Sequence, residues 1–339
     1  MMMVFLPKYT LWRKETTWRC FFVLFVTLLL SEVHALMAGA IIVPHGDFAF
    51  DPTLTEPWSM ERRVAEDIAK ASRQAGAWMA NQVQPTIIVL STPHGIKLDF
   101  DFSIFMGHRG SGFATIGNDQ YNKSKLYNVT VQVDLAPTIA EGLLATLKRQ
   151  KGNVSGFYSF TDDMDLPLQW GEIIPLLMIP GSVNGNGPPR QHLIWSHPKR
   201  RYDHAPDMVP ELLRLGNYIR TWAEEQRSER IGVVISADLA HTHQPQGPYG
   251  YSNASGPFDA AIGHWASNPC QNSASLLTIA ASLERQALCC GFTGLVLLHG
   301  MLCSGTEAPI PFQPTLLVNA NVTYYGMMAA TFDRISDKQ

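Results

Sequence analysis

Charge of either sign is in short supply. Only 16% of the 339 residues are Asp, Glu, Lys or Arg, and 26 basic against 29 acidic side chains leave a net charge of -3. Without a basic excess there is no electrostatic footprint for a nucleic-acid partner, and without an acidic run there is no solvating tail. Cysteine is sparse and odd in number: Cys20, Cys270, Cys289, Cys290 and Cys303, irregularly spaced. That is not a disulfide framework, so free thiols in a reducing compartment are predicted. The apolar run from Cys20 to Leu30 is shorter than the ~20 residues a membrane-spanning helix needs. Gly-x-Ser-x-Gly elbows are absent, and the glycine-rich stretch Gly107 to Gly112 does not continue into the Lys-Ser/Thr of a phosphate loop. It reads as a turn or a flexible lid.

What is present is enough apolar sequence, 46%, for a sizeable core. Residues 1–36 stand apart from the rest. Lys8, Arg13, Lys14 and Arg19 precede the short apolar run, and Val33-His34-Ala35 would serve as a cleavage site, as in a signal peptide or short anchor. The rival expectation is a start at Met37, directly before the first strand, and a cytoplasmic protein. Five Asn-x-Ser/Thr sequons, at Asn122, Asn128, Asn153, Asn253 and Asn321, favour the secretory route instead. A start at Met37 is the reading adopted, with secretion or membrane attachment only if residues 1–36 are retained. Residues 37–339 read as a single domain, and a homo-oligomer is compatible with the sequence.

Apolar periodicity organises that domain. Ala40 to Val43, Thr86 to Leu90, Ile173 to Ile179 and Ile231 to Ile235 are solidly apolar and read as buried strands, with Gly294 to His299 and Thr315 to Val318 as late ones. Phe100, Phe102 and Ile104 alternate, as do Val129, Val131 and Val133, predicting half-exposed strands in a ribbon beside the main sheet. Helical spacing covers Trp58 to Val83, with Thr55 as cap and Pro57 in the first turn, then Ala136 to Gln150, a helix bearing Leu212, Leu215, Ile219 and Trp222, and much of Phe258 to Leu288. Apolar strands alternating with helices predict an α/β fold. Its central sheet is mostly parallel, with helices on both faces and a flanking antiparallel ribbon.

In such folds ligands bind beyond the carboxyl ends of the strands. His45, His94 and His241 each follow an apolar run there, the first two in matching Pro-His-Gly segments. Three imidazoles on one rim point to a metal or an acid/base centre. Asp238, three residues before His241, can orient a ring. Tyr249 and Tyr251 can line an aromatic pocket, whereas His299, after Leu297-Leu298, reads as a core histidine.

The segments Val43-Pro44-His45-Gly46-Asp47, Ser91-Thr92-Pro93-His94-Gly95, Ser236-Ala237-Asp238-Leu239-Ala240-His241 and Gly247-Pro248-Tyr249-Gly250-Tyr251 occur in that order. Together they resemble the catalytic subunits of class III extradiol ring-cleavage dioxygenases and the related Memo family, over about Met37 to Tyr325. The resemblance implies an Fe(II) centre with His45 and His94 as ligands, His241 as acid/base residue, and a small aromatic, catechol-like substrate meeting O₂. The sequence departs at the third ligand. Where the dioxygenases carry glutamate before Cys-Gly, this chain reads Cys289-Cys290-Gly291, and Memo proteins carry a cysteine ligand before this glycine. Glu284 is the nearest carboxylate. A thiolate is a softer donor and opens the site to copper or zinc. Where ring-cleaving relatives tend to have a substrate-contacting histidine, Trp170 stands before Gly171.

Overall fold

A computed structural model describes residues 36–117, 126–161, 163–185, 187–188, 190–226, 228–303 and 312–335. The segment 1–35, with its short apolar run, its cleavage motif and Cys20, lies outside the described residues, as does the Asn122 sequon.

The first strand, β1, spans Leu36–Val43 and is followed by β2 (Ile87–Thr92), β3 (Phe102–Phe105), β4 (Arg109–Ile116) and β5 (Tyr127–Asp134). Then come β6 (Val154–Phe157), β7 (Leu166–Leu168), β8 (Gln191–Ser196), β9 (Arg230–Ser236), β10 (Phe312–Val322) and β11 (Tyr325–Arg334). Eight of them form one sheet in the order β10-β11-β1-β9-β2-β8-β3-β6. The centre of that sheet, β1-β9-β2-β8, is wholly parallel, and antiparallel pairs occur at β10-β11, β11-β1 and β8-β3. A second, small sheet, β5-β4-β7, carries the expected antiparallel ribbon in its β4-β5 pair.

Successive side chains of a strand point to opposite faces, and the two cores follow that alternation. Ile42, Val89 and Val233 lie in one core, with Leu143, Leu212, Phe258 and Leu297 from the helices Pro137–Arg149, Val209–Glu225, Ser255–Ser267 and Phe292–Cys303. Ile41, Val43, Leu90 and Val234 lie in the other, beneath Ile68 and Ile174 from the helices Met60–Trp78 and Trp170–Leu177. Burial on both faces explains why these strands read as unbroken apolar runs. Among the described residues, no helix is long and apolar enough to cross a membrane.

Several local expectations are corrected. Ile173 to Ile179 belongs to the helix Trp170–Leu177 and its end, not to a strand. A short run that is apolar all round has no periodicity to distinguish the two. The overlooked signal is Glu172, whose carboxylate accepts from the Gln169 N–H at 2.7 Å and caps the first turn. Gly294 to His299 likewise lies in the helix Phe292–Cys303, which is buried on every side and so shows no polar stripe. The glycine-rich Gly107 to Gly112 feeds into strand β4, and the Phe102–Phe105 segment joins the main sheet. The first long helix is capped by Ser59, whose hydroxyl accepts from the Arg62 N–H, and not by Thr55. Finally, Cys270 and Cys303 form a disulfide with Cα atoms 5.3 Å apart. The packing of the helix Phe292–Cys303 brings them together, which a spacing of 33 residues does not announce.

Candidate metal centre

Parallel strands β1, β2 and β9 lie side by side, so the loops leaving their carboxyl ends converge. They deliver His45, His94, and the Asp238–His241 segment. The turn Leu288–Gly291, ahead of the helix Phe292–Cys303, closes the group from the other side. Its Gly291 N–H donates to the Asp238 carbonyl at 3.1 Å. Only glycine permits this approach, because a Cβ there would lie 2.5 Å from the Ala237 Cβ. The glycine of the first Pro-His-Gly is explained the same way. A Cβ on Gly46 would lie 2.3 Å from the Tyr325 ring.

His45, His94 and Cys290 each offer a donor atom, and the three atoms lie within 4.8 Å of one another. Asp238, His241 and Cys290 form a second such group, sharing the sulfur. The Cys290 Sγ is 3.3 Å from His45 Nε2, and Asp238 Oδ2 is also 3.3 Å from that nitrogen. The Cys289 Sγ is turned to the Asp238 carbonyl at 3.3 Å and enters neither group. Glu284 enters neither group either.

The hydrogen-bond network fixes the tautomers of two rings. Pro175 has no N–H to return to the Gly171 carbonyl four residues earlier, which therefore accepts the Ser236 hydroxyl at 2.6 Å. Having spent its proton, the Ser236 oxygen accepts from His45 Nδ1–H at 2.8 Å. That leaves the His45 Nε2 lone pair facing Cys290 and Asp238, as a metal ligand requires. His241 Nδ1–H donates to the Leu239 carbonyl at 2.8 Å, so its Nε2 is likewise the free lone pair. A proline inside one helix thus sets the proton position on a histidine in the loop that follows β1.

Burial dominates the electrostatics. It pulls the His45 pKa down to about 3, aided by nearby His241 and Arg201, and the His241 pKa down to about 4. His94 is also held well below the usual imidazole range by burial, then by its neighbours His45 and Arg201. Three neutral rings with free lone pairs are the form that binds a cation. Asp238 goes the other way, up to about 7, because burial outweighs the N–H groups of His45 and Gly46 that its Oδ1 accepts. Burial, and next the Asp238 carboxylate, keeps the Cys290 thiol protonated in the metal-free protein. A bound cation would reverse that preference. Two imidazoles, a thiol and an adjacent carboxyl are a donor set that fits a transition-metal ion.

The donors sit in the wall between two cavities. One, of about 610 Å³, is lined by His45, His94, Asp238 and His241 together with Trp170, Tyr249, Tyr324 and Tyr325. The His94 ring lies 4.8 Å from the Trp170 ring, and His241 stacks on Tyr325 at 5.7 Å. Trp170 and Tyr249 both face this cavity and remain 45% and 57% exposed, which leaves aromatic surface for a ligand. Tyr251 is exposed and does not line it. His299 is a core histidine, its Nδ1 accepting from the Trp265 indole at 3.1 Å. The sequence did not mark Ser236 as a site residue, nor Tyr324, Tyr325 and Arg201. Tyr325 opens a strand that only pairing with β1 reveals, and Ser236 is an ordinary strand-end serine until its neighbours are known.

Fold and site together define an α/β protein with a buried cluster of histidine, cysteine and aspartate side chains, able to hold a metal ion, at the carboxyl edge of its parallel strands. The chain belongs to the family of catalytic LigB subunits of aromatic ring-opening dioxygenases, whose family model matches residues 40–329. An uncharacterized Escherichia coli K12 protein, JW3007, is similar in structure at 14% identity and a TM-score of 0.48, covering 87% of this chain and 99% of that one. No curated protein matches the sequence.

Proposed function

We propose that this protein is a non-haem Fe(II) oxidoreductase that uses O₂ to open a catechol-like or other small aromatic ring. The observation that carries the reading is the meeting of His45, His94 and Cys290, whose donor atoms lie within 4.8 Å of one another in the wall between two aromatic-lined cavities, with neutral His241 beside them. These three residues would hold the iron, and Asp238, whose Oδ1 accepts from the His45 backbone N–H at 3.0 Å, would fix the loop that carries His45. Bound iron supplies open positions where substrate oxygens and O₂ meet, and a path for electrons between them.

The chain's own groups do the rest. Trp170 and Tyr249 flank the entrance and bind a flat ring by stacking. His241 Nε2 accepts the proton of a substrate hydroxyl and returns it later, because its Nδ1–H is committed to Leu239. With a pKa near 4 it is unprotonated and ready across the neutral range. Tyr324 and Tyr325 cover its ring and exclude water.

One observation favours a second reading. The third donor is the Cys290 sulfur and no glutamate joins the cluster among the described residues, which suits copper(I) or zinc in a Memo-like redox or signalling protein without ring cleavage. Oxygen consumption by Fe(II)-loaded protein on simple catechols separates the two. The first reading expects catechol-dependent uptake that falls by roughly 10²- to 10⁴-fold in His241→Gln with iron still bound. Uptake that is absent in the loaded wild type, with tight copper(I) binding, would establish the second.

A further inference from the structure

An Asn-x-Ser/Thr sequon is a weak signal by itself, because so short a pattern also arises by chance. The fold gives the sequons of this chain more weight. All four described acceptors, Asn128, Asn153, Asn253 and Asn321, are exposed. Asn128 lies on β5, an outer strand of the small sheet, and Asn321 on β10, an outer strand of the large one. An outer strand presents unpaired backbone groups to any strand it meets and has to be blunted. The other outer strands, β7 and β6, are only 3 and 4 residues long, and Pro167 sits at the centre of β7. By contrast β5 and β10 run to 8 and 11 residues, with Pro314 near the start of β10. The two long open edges are thus the strands that carry sequons, and a bulky, hydrated oligosaccharide on each would keep a second strand away.

The acceptor atoms differ in what holds them. Asn128 Oδ1 accepts from the Thr115 hydroxyl at 2.9 Å, which leaves its Nδ2 without a partner among the described residues. Asn253, in the exposed turn before the helix Ser255–Ser267, and Asn321 make no side-chain hydrogen bond to the described residues. Asn153 Nδ2, however, donates at 2.7 Å to Glu211, whose carboxylate also pairs with Arg200. A glycan on that nitrogen would crowd the pair. The disulfide is an independent observation. Cys270 is exposed, so a reducing compartment would open its bond to Cys303, and such bonds persist in oxidising ones. The two free thiols, Cys289 and Cys290, are buried and so sheltered from exchange.

We propose that the chain folds in the oxidising secretory route and carries N-linked oligosaccharides on Asn128, Asn253 and Asn321, with Asn153 left bare. This goes against a start at Met37, and the basic-then-apolar pattern of residues 8–30 is the kind of address that route reads. It stands independently of the ring-opening reading. The donor is an oligosaccharide carried on a lipid pyrophosphate. The asparagine Nδ2 attacks its anomeric carbon, a C–N bond forms and the C–O bond to pyrophosphate breaks. The lipid pyrophosphate leaves with that electron pair, and the amide gives up one proton to a base.

The test expresses the full chain, residues 1–339, in cultured eukaryotic cells and digests it with peptide N-glycosidase in heavy-oxygen water. That enzyme converts each glycan-bearing asparagine to a labelled aspartate, which mass spectrometry locates. Label is expected at Asn128, Asn253 and Asn321 and not at Asn153. On a gel, each of Asn128→Gln, Asn253→Gln and Asn321→Gln should lose one of three digestible steps in mobility. Cys270 and Cys303 should resist alkylation until reduced. Unlabelled asparagine at all three positions of the wild-type chain would overturn the proposal without recourse to any variant, as would free, alkylatable Cys270 and Cys303. A digestible shift that survives in the triple variant would overturn the choice of acceptors, and label at Asn153 would overturn its exclusion.

Discussion

Replacing Ser236 by alanine tests the chain of contacts that sets His45 for metal. The hydroxyl is wholly buried, donates to the Gly171 carbonyl at 2.6 Å and accepts from His45 Nδ1–H at 2.8 Å. Its removal orphans a carbonyl that Pro175 cannot satisfy and an imidazole N–H that has no other partner among the described residues. Each unsatisfied buried group costs about 1–3 kcal/mol, so folding stability should fall by a few kcal/mol. The ring also loses what fixes its tautomer. Loss of such an outer partner costs about 10- to 100-fold in metal affinity, or roughly 1.4–2.7 kcal/mol. Anaerobic titration with Fe(II), and separately with copper(I) against a competing chelator, measures the affinity, while urea unfolding measures stability. A folded Ser236→Ala protein that binds metal as tightly as wild type would refute the tautomer argument.

Cys290→Ser should weaken binding of a soft metal at least tenfold, whereas Cys289→Ser should leave it within about threefold, since only the Cys290 sulfur joins the donor groups; parallel copper(I) titrations decide it. Burial holds His192 near pKa 4 and His197 near 3, against 6.5 when unfolded. The unfolded chain therefore binds protons first, and both histidines should lower the melting temperature as pH drops from about 6.5 toward 4, an effect reduced in His192→Gln. Reduction of the Cys270–Cys303 disulfide, which closes a 33-residue separation, should cost about 3–4 kcal/mol in urea unfolding, and a Cys270→Ala/Cys303→Ala variant should be insensitive to reductant.

Much of this was legible in the sequence because burial on both faces writes itself as plain apolar runs. Strands β1, β2 and β9 were visible that way, and the residues just past their ends gave His45, His94, Asp238 and His241. The doubly apolar character that reveals strands also hid the helices Trp170–Leu177 and Phe292–Cys303, where no polar face marks the helical period. Gly291 and the cysteine pair placed the third donor in a short segment, but only the fold separates the two sulfurs, which both approach the Asp238 carbonyl while that of Cys290 also reaches His45 Nε2. Contacts between distant segments left no local trace. Ser236 meets Gly171, Arg201 meets Pro93, and Tyr325 packs over Gly46 across 279 positions of sequence. The disulfide belongs to the same category.

The central claim is that His45, His94 and Cys290 hold one metal ion. The direct measurement is an anaerobic Fe(II) titration of metal-free protein beside its His45→Ala/His94→Ala variant, with the iron's X-ray absorption recorded at saturation. The account predicts one tight equivalent with a sulfur neighbour at about 2.3 Å, a typical metal–thiolate distance, and loss of that equivalent in the variant. Equal binding by both proteins, or an iron environment of oxygen and nitrogen alone, would contradict it.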